Sequence, residues 1–130
     1  CPDVPLIFPE TRVAVTPFAD GYRLGSTMEF SGYDDSIHPK RLNLLRSGVE
    51  DYLKEPYAQP VTNTWYGWRP MTYDSLPIIG PCPGNPKVTL ATGHNMLGLS
   101  LAPATGKLVA EALTGQDSHI EVGPYSPDRF

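Results

Sequence analysis

Lys87-Val88-Thr89-Leu90-Ala91-Thr92-Gly93-His94-Asn95-Met96-Leu97-Gly98-Leu99-Ser100-Leu101-Ala102-Pro103-Ala104-Thr105-Gly106 is the stretch that decides the fold. Residues 87–92 read as a buried strand, and Gly93 to Gly98 as a glycine-bounded loop. A helix is expected next, with Leu101, Ala104, Leu108, Ala112 and Leu113 as its apolar stripe and Gly115 as its stop. Pro103 leaves two possibilities: the helix begins near it, or the first turn is kinked there. Small residues Ala102, Ala104, Thr105, Gly106 and Ala110 would let this helix approach a neighbour closely. A helix N-terminus leaves amides unpaired and adds roughly half a positive charge. Gly93 to Ser100 could therefore hold an anionic or carbonyl-bearing ligand. The spacing is neither the dinucleotide fingerprint nor the Walker loop. A tight strand-to-helix connection with no ligand would use the same glycines.

Upstream, Val61 to Met71 reads as a strand rich in β-branched and aromatic residues, with Trp65, Gly67 and Arg69 on one face. Pro70 ends regular pairing. Pro77 to Gly80 is a further short strand, and residues 81–86 are a loop. Arg69, flanked by Trp65, Trp68 and Pro70, suits two-point binding of a carboxylate in a drier setting. A structural ion pair, for instance to Glu29, with the guanidinium stacked on tryptophan, explains it equally well.

The first half of the chain alternates. Val4 to Phe8 reads as an edge strand, and Val13 and Val15 share a face. Asp20-Gly21 is a hairpin turn leading to Tyr22, Leu24, Ser26, Met28 and Phe30 on one side. Asp34, Asp35 and Ser36 look like capping residues for a helix over about 38–54. Pro39 sits in its first turn, and Leu42, Leu45, Val49 and Tyr52 form its stripe. These elements predict an α+β fold: a mainly antiparallel sheet, one covering amphipathic helix, and a C-terminal strand–loop–helix over 87–114. The tail after Asp117 is polar and expected to be loose.

Charge and composition exclude several functions. The 130 residues carry a formal charge of −4 with scattered Lys and Arg, so no basic footprint for nucleic acid exists. There is no signal-peptide pattern and no apolar run long enough for a membrane helix. Cys1 and Cys82 are expected to be free thiols in a reducing compartment, although they could pair. His38, His94 and His119 share no metal-ligand spacing, so no metal site is expected. His94 could carry a proton, but a hydrogen bond to its own loop backbone is the more ordinary role. Ser100 stands in Gly-Leu-Ser-Leu-Ala, which is no nucleophile elbow. No carboxylate pair suggests acid–base catalysis, so no catalytic side chain is assigned. A chain that begins at Cys1 without methionine is expected to be processed or part of something longer.

Three segments together resemble the FAD-dependent amino-acid oxidoreductases, the family of D-amino-acid dehydrogenase, glycine oxidase, sarcosine oxidase and D-amino-acid oxidase. They are residues 20–30, residues 65–72 with 74–80, and residues 91–106, in the family's order. The resemblance implies that Arg69 grips the substrate carboxylate. It implies that Met96, Leu97, Gly98, Leu99 and Ser100 present backbone amides to the pyrimidine end of the flavin ring. The implied reaction moves a hydride from the α-carbon of a D-amino acid or related amine to FAD, leaving an imine that hydrolyses to a 2-oxo acid. Glycine oxidase has a second arginine in this loop where Met96 stands here, which brings the loop nearer the dehydrogenase type. The glycine fingerprint that binds the ADP part of FAD does not occur in the 130 residues. The resemblance thus implies a larger parent, with FAD absent or weakly bound to these residues alone. Residues 1–72 would be the second half of a substrate domain, 73–116 a return to the FAD domain, and 117–130 a tail. The partners implied are an amino acid and the N-terminal FAD-binding part of the same parent. The implied location is cytoplasmic or peripheral to the inner membrane. The competing reading is a non-catalytic α+β module that binds a small anion at Gly93–Ser100.

Overall fold

In the computed structural model, which describes residues 2–56 and 60–130, the chain divides after Gly67 into two units. In the first, strands β1 (Leu6–Phe8), β2 (Val13–Phe18) and β3 (Gly21–Gly25) form an antiparallel sheet in that order. Alternation along β2 points Val13 and Val15 inward, at 2% and 0% exposure. Val15 lies opposite Leu6 on one side and Leu24 on the other, so three apolar residues cross the sheet in a row. This register also corrects the turn. Phe18 pairs with Gly21, so Ala19 and Asp20 form the loop instead of Asp20 and Gly21. The expected turn would have set Ser26 opposite Val15; the observed one sets Leu24 there.

The second strand of this hairpin is shorter than the alternation suggests. Thr27 adopts φ +55°, in the left-handed region that a β-branched residue seldom occupies, and the pleat ends at Gly25. Ser26, Met28 and Phe30 therefore do not continue the strand face, and Phe30 is exposed.

Helix α1 spans Pro39–Ser47, not 38–54. Pro39 begins it as expected, but its N-cap is His38, without a side-chain bond. Asp34 instead accepts the amide of Ser36 at 2.9 Å; it lies too far upstream to reach the first helical amides. The helix stops where Gly48 brings the backbone onto the sheet: a Cβ there would lie 2.8 Å from Val13 Cγ2. Beyond it the chain turns on the Val49 carbonyl, which accepts the amides of Tyr52 and Leu53 at 3.0 Å. The predicted stripe still serves its purpose past the helix end. Val49 is fully buried with Val13 and Val15, Leu45 and Leu53 pack against them, and Tyr52 stacks on Phe8 at 4.2 Å.

No strand forms over 61–71. A strand is stable only where another satisfies its amides and carbonyls, and among the described residues none pairs with this stretch. In the second unit, β4 (Ile78–Cys82) and β5 (Asn85–Thr92) make an antiparallel ribbon from Ile78–Thr92 to Cys82–Asn85. The loop expected over 81–86 shrinks to Pro83-Gly84, with Gly84 at φ +79°. Because the sheet has only two strands among the described residues, β5 is not the buried strand expected: only Thr89 and Leu90 are half-buried.

Helix α2 (Gly98–Thr114) contains Pro103 instead of beginning at it, and Gly115 closes it with a left-handed C-cap. Leu108 and Glu111 are its buried residues, while the stripe members Ala104, Ala112 and Leu113 are exposed. Glu111 is tolerated inside because its carboxylate is satisfied. It accepts His119 Nδ1 at 2.7 Å and the His119 amide at 3.1 Å, and Lys107 lies 3.7 Å away. The His119 hydrogen bond holds the Glu111 carboxyl below its usual range.

The C-terminal residues are tied down, contrary to expectation. Short 3₁₀ turns span Gly123–Tyr125 and Pro127–Arg129. Pro127 is buried against Gly80, where an added Cβ would sit 2.9 Å from its Cδ. Cys82 has a free thiol that donates to the Pro83 carbonyl at 3.5 Å, while Cys1 lies outside the described residues. The α+β architecture with antiparallel sheets stands. No helix among the described residues is long and apolar enough to cross a membrane.

Candidate functional site

The glycine loop and the start of α2 present an open helix N-terminus. Leu97 is the N-cap and supplies no side-chain acceptor, so the first-turn amides are left to whatever docks there. Met96, Leu97, Leu99 and Ser100 are exposed and Gly98 half-buried. Leu99, at 92% exposure, is the most open large apolar residue of the second unit. Such a surface offers donors and apolar contacts but no fixed charge, which suits a flat, carbonyl-bearing, electron-rich group.

The loop itself is held from within. His94 Nε2 lies 2.9 Å from Thr105 Oγ1, two turns into α2, so its partner is a helix hydroxyl and not the loop backbone. Leu97 N–H donates to the His94 carbonyl at 2.9 Å. Gly93 sits at φ +76°, and a Cβ on it would come within 2.7 Å of Thr72 Cγ2. Only glycine lets the loop lie this close to the segment that carries Arg69.

That segment is joined to the loop by Asn95. Its amide donates to the Pro70 carbonyl at 3.2 Å, its Oδ1 accepts the Thr72 amide at 3.3 Å, and its Nδ2 donates to the Ser75 carbonyl at 3.1 Å. Arg69 and Met96 are thus each one residue from a shared hydrogen bond. The turn on the other side is braced too. Thr72 Oγ1 donates to Leu76 O at 2.8 Å, and Asp74 Oδ1 accepts the Leu76 amide at 3.0 Å. Arg129 grips Asp74 through Nε at 2.7 Å and Nη2 at 3.3 Å, and Nη2 also reaches the Leu76 carbonyl at 2.8 Å. The Arg129 hydrogen bond holds the Asp74 carboxyl down at about 2, against an ordinary 3.8.

Arg69 itself is exposed in an irregular stretch and not at a strand end. Trp65 and Trp68 are exposed, and Trp65 carries the guanidinium of Arg23, 5.4 Å from the ring centre. Glu29 pairs with Arg41 at 3.2 Å. The structure therefore brings the Arg69 segment and the Met96–Ser100 loop together. Sequence reasoning missed Asn95, Thr72, Thr105 and Arg129. The signal for Asn95 was its place between Gly93 and Gly98. Asparagine is enriched at positive φ, and here it adopts φ +51°.

Known proteins match the chain over nearly all of its length. The chain is 36% identical over 124 residues to the glycine oxidase of Pseudomonas putida, covering 95% of the chain and 34% of that protein. It is 35% identical over 119 residues to the D-amino acid dehydrogenase of Neisseria gonorrhoeae, covering 92% of the chain and 28% of that protein. The glycine oxidase structure from Geobacillus kaustophilus shares the fold with a TM-score of 0.74 at 24% identity, over 91% of the chain and 32% of that protein. The chain therefore spans about a third of the length of the relatives it matches. The family model described as FAD dependent oxidoreductase matches residues 2–112, which include both the Arg69 segment and the open start of α2. On that match, the chain belongs to the FAD-dependent oxidoreductase (DAO) family.

Proposed function

We propose that this chain supplies the substrate-gripping arginine and the flavin-ring loop of an oxidoreductase that converts an amino acid, a D-amino acid or related secondary amine, to an imine and then a 2-oxo acid. The observation that carries the reading is the hydrogen bond from the Asn95 amide to the Pro70 carbonyl. It joins the segment that carries Arg69 to the loop that opens α2, an arrangement that would let one substrate meet both a carboxylate grip and a ring-facing loop. FAD, when bound, accepts the hydride from the substrate α-carbon. Everything else is positioning. Arg69 holds the carboxylate through two parallel N–H bonds. The first-turn amides of Gly98, Leu99 and Ser100 favour negative charge at the carbonyl end of the ring. The amine proton leaves to solvent, and water hydrolyses the imine to the 2-oxo acid, releasing ammonia from a primary amino acid or a primary amine from a secondary one. No step of this reading calls for a base from these residues, because it rests on orientation.

The residues present fit the cofactor's ring end: the loop has donors, no carboxylate and an exposed apolar rim of Met96, Leu97 and Leu99. They do not include a glycine fingerprint for its ADP end. An N-terminal FAD-binding part of the same protein is accordingly the partner of this surface. That arrangement also accounts for the exposed Leu99 and Leu113 on α2. The test is Arg69→Lys in the FAD-loaded protein that carries this chain. Lysine keeps the charge but not the planar two-point contact, so KM for the amino acid should rise roughly ten- to hundredfold. Unchanged KM and kcat would remove Arg69 from the site.

A further inference from the structure

We infer that Asn95 is the positioning residue that keeps the Arg69 segment in register with the Met96–Ser100 helix start. The inference rests on the functional reading of those two elements just given, and adds the part that joins them. Asn95 uses backbone and side chain in three directions at once, to the Pro70 carbonyl, the Thr72 amide and the Ser75 carbonyl. No other residue of the loop reaches the 70–75 segment by a side-chain hydrogen bond among the described residues. Its φ of +51° aims the side chain back across the loop, in a conformation that asparagine tolerates better than most residues.

Both sides of the joint are stiff. His94 fixes the loop to α2 through Thr105, and Arg129 with Asp74 and Leu76 fixes the turn. Neither side can therefore swing across to make good a lost contact. Removing the Asn95 side chain should let the two elements slide, so that a carboxylate held by Arg69 no longer sets its α-carbon against the ring. A displacement of about 1 Å from a residue outside the chemistry can cost roughly a hundredfold in rate. Asn95 touches no reacting atom in this scheme and acts through its neighbours.

The experiment compares Asn95→Gly and Asn95→Asp with Arg69→Lys in the FAD-loaded protein carrying this chain. Glycine keeps the left-handed backbone and the N–H donated to Pro70, and deletes only the side-chain bonds. Aspartate keeps an acceptor for the Thr72 amide. For Asn95→Gly, kcat/KM should fall roughly ten- to hundredfold, while FAD stoichiometry and the flavin absorption spectrum stay as in the unaltered protein. Hydrogen exchange at the Thr72 amide should accelerate at least about tenfold, because that amide loses its acceptor. Asn95→Asp should restore Thr72 protection and recover part of kcat/KM. The inference is overturned if kcat/KM for Asn95→Gly stays within about twofold of wild type, or if aspartate does no better than glycine. Loss of FAD from both Asn95 variants would also overturn it, since that marks a general structural role. Arg69→Lys separates the layers. If it too is unimpaired, the functional reading fails; if it is impaired while Asn95→Gly is normal, only the role of Asn95 fails.

Discussion

Gly93→Ala isolates the closest approach between the loop and the Arg69 segment. Two costs add. Gly93 has φ +76°, and an L-residue in the left-handed region costs about 1–2 kcal/mol. The new methyl would also lie 2.7 Å from Thr72 Cγ2, with Ile78 N at 3.6 Å and Ile78 Cγ1 at 3.8 Å, so it has no free direction. Thr72 cannot rotate away cheaply, because its hydroxyl is held by the Leu76 carbonyl at 2.8 Å. Overpacking of this kind costs about 1–3 kcal/mol. The sum, about 2–5 kcal/mol, is a large share of what a domain of this size has to spare. Urea denaturation followed by circular dichroism measures it, and two controls divide it. Gly84 has nearly the same φ, +79°, with nothing within 4 Å of its Cβ position, so Gly84→Ala reports the conformational cost alone. Thr72→Ser removes the clashing methyl but keeps the hydroxyl. Its own cost is under about 1 kcal/mol, and it should rescue part of Gly93→Ala in a double-mutant cycle. If Gly93→Ala costs no more than Gly84→Ala, or if Thr72→Ser gives no rescue, the loop does not pack on the segment as described.

Three further predictions follow from other contacts. Asp74 is held near 2 by Arg129, below its ordinary 3.8. A depressed carboxyl stabilises the fold above the unfolded value and loses that contribution as pH falls toward the folded one. The acid limb between about pH 4 and 2 should therefore flatten in Arg129→Met, and an unchanged limb would refute the pair's role. Gly48→Ala should destabilise by about 1–3 kcal/mol, since its Cβ would meet Val13 at 2.8 Å and the Leu44 carbonyl at 2.9 Å; a neutral melt would contradict that packing. Glu111→Ala removes the carboxylate that holds both the amide and the ring of His119. Limited proteolysis near residues 117–122 should become faster, and an unchanged rate would show the tail is held elsewhere.

Local rules carried the sequence a long way where a residue acts on its own neighbours. Val13 and Val15 alternate, Pro39 opens a helix, Gly115 closes one, and each does so in the structure. They failed where the outcome depends on a distant partner. The run 61–71 has strand composition but no strand beside it among the described residues. The first hairpin moved by one residue because Val15 pairs with Leu24 and not Ser26. Helix α1 ended early because Gly48 had to meet Val13, far upstream. The tail looked loose because no local pattern shows that Arg129 will find Asp74, 55 residues away. The burial of Glu111 is of the same kind; only the folded chain brings His119 to it.

The candidate site follows the same division, and the β4–β5 ribbon explains why. Arg69 and the Met96–Ser100 loop are far apart in sequence, yet antiparallel pairing from Ile78–Thr92 returns the chain to the place it left. Whatever precedes Ile78 and whatever follows Thr92 must emerge at the same end of the ribbon. The two short strands and the Pro83-Gly84 turn therefore determine that the two segments meet, and those strands were legible as short apolar runs. How they meet was not legible. That depends on Gly93 permitting contact with Thr72 and on Asn95 bonding the two segments in one register. Neighbourhood comes from topology and registration from a few side chains. A shift of one residue in the β4–β5 pairing would leave the segments adjacent but deprive Asn95 of its partners, so the two segments would touch without being held in register.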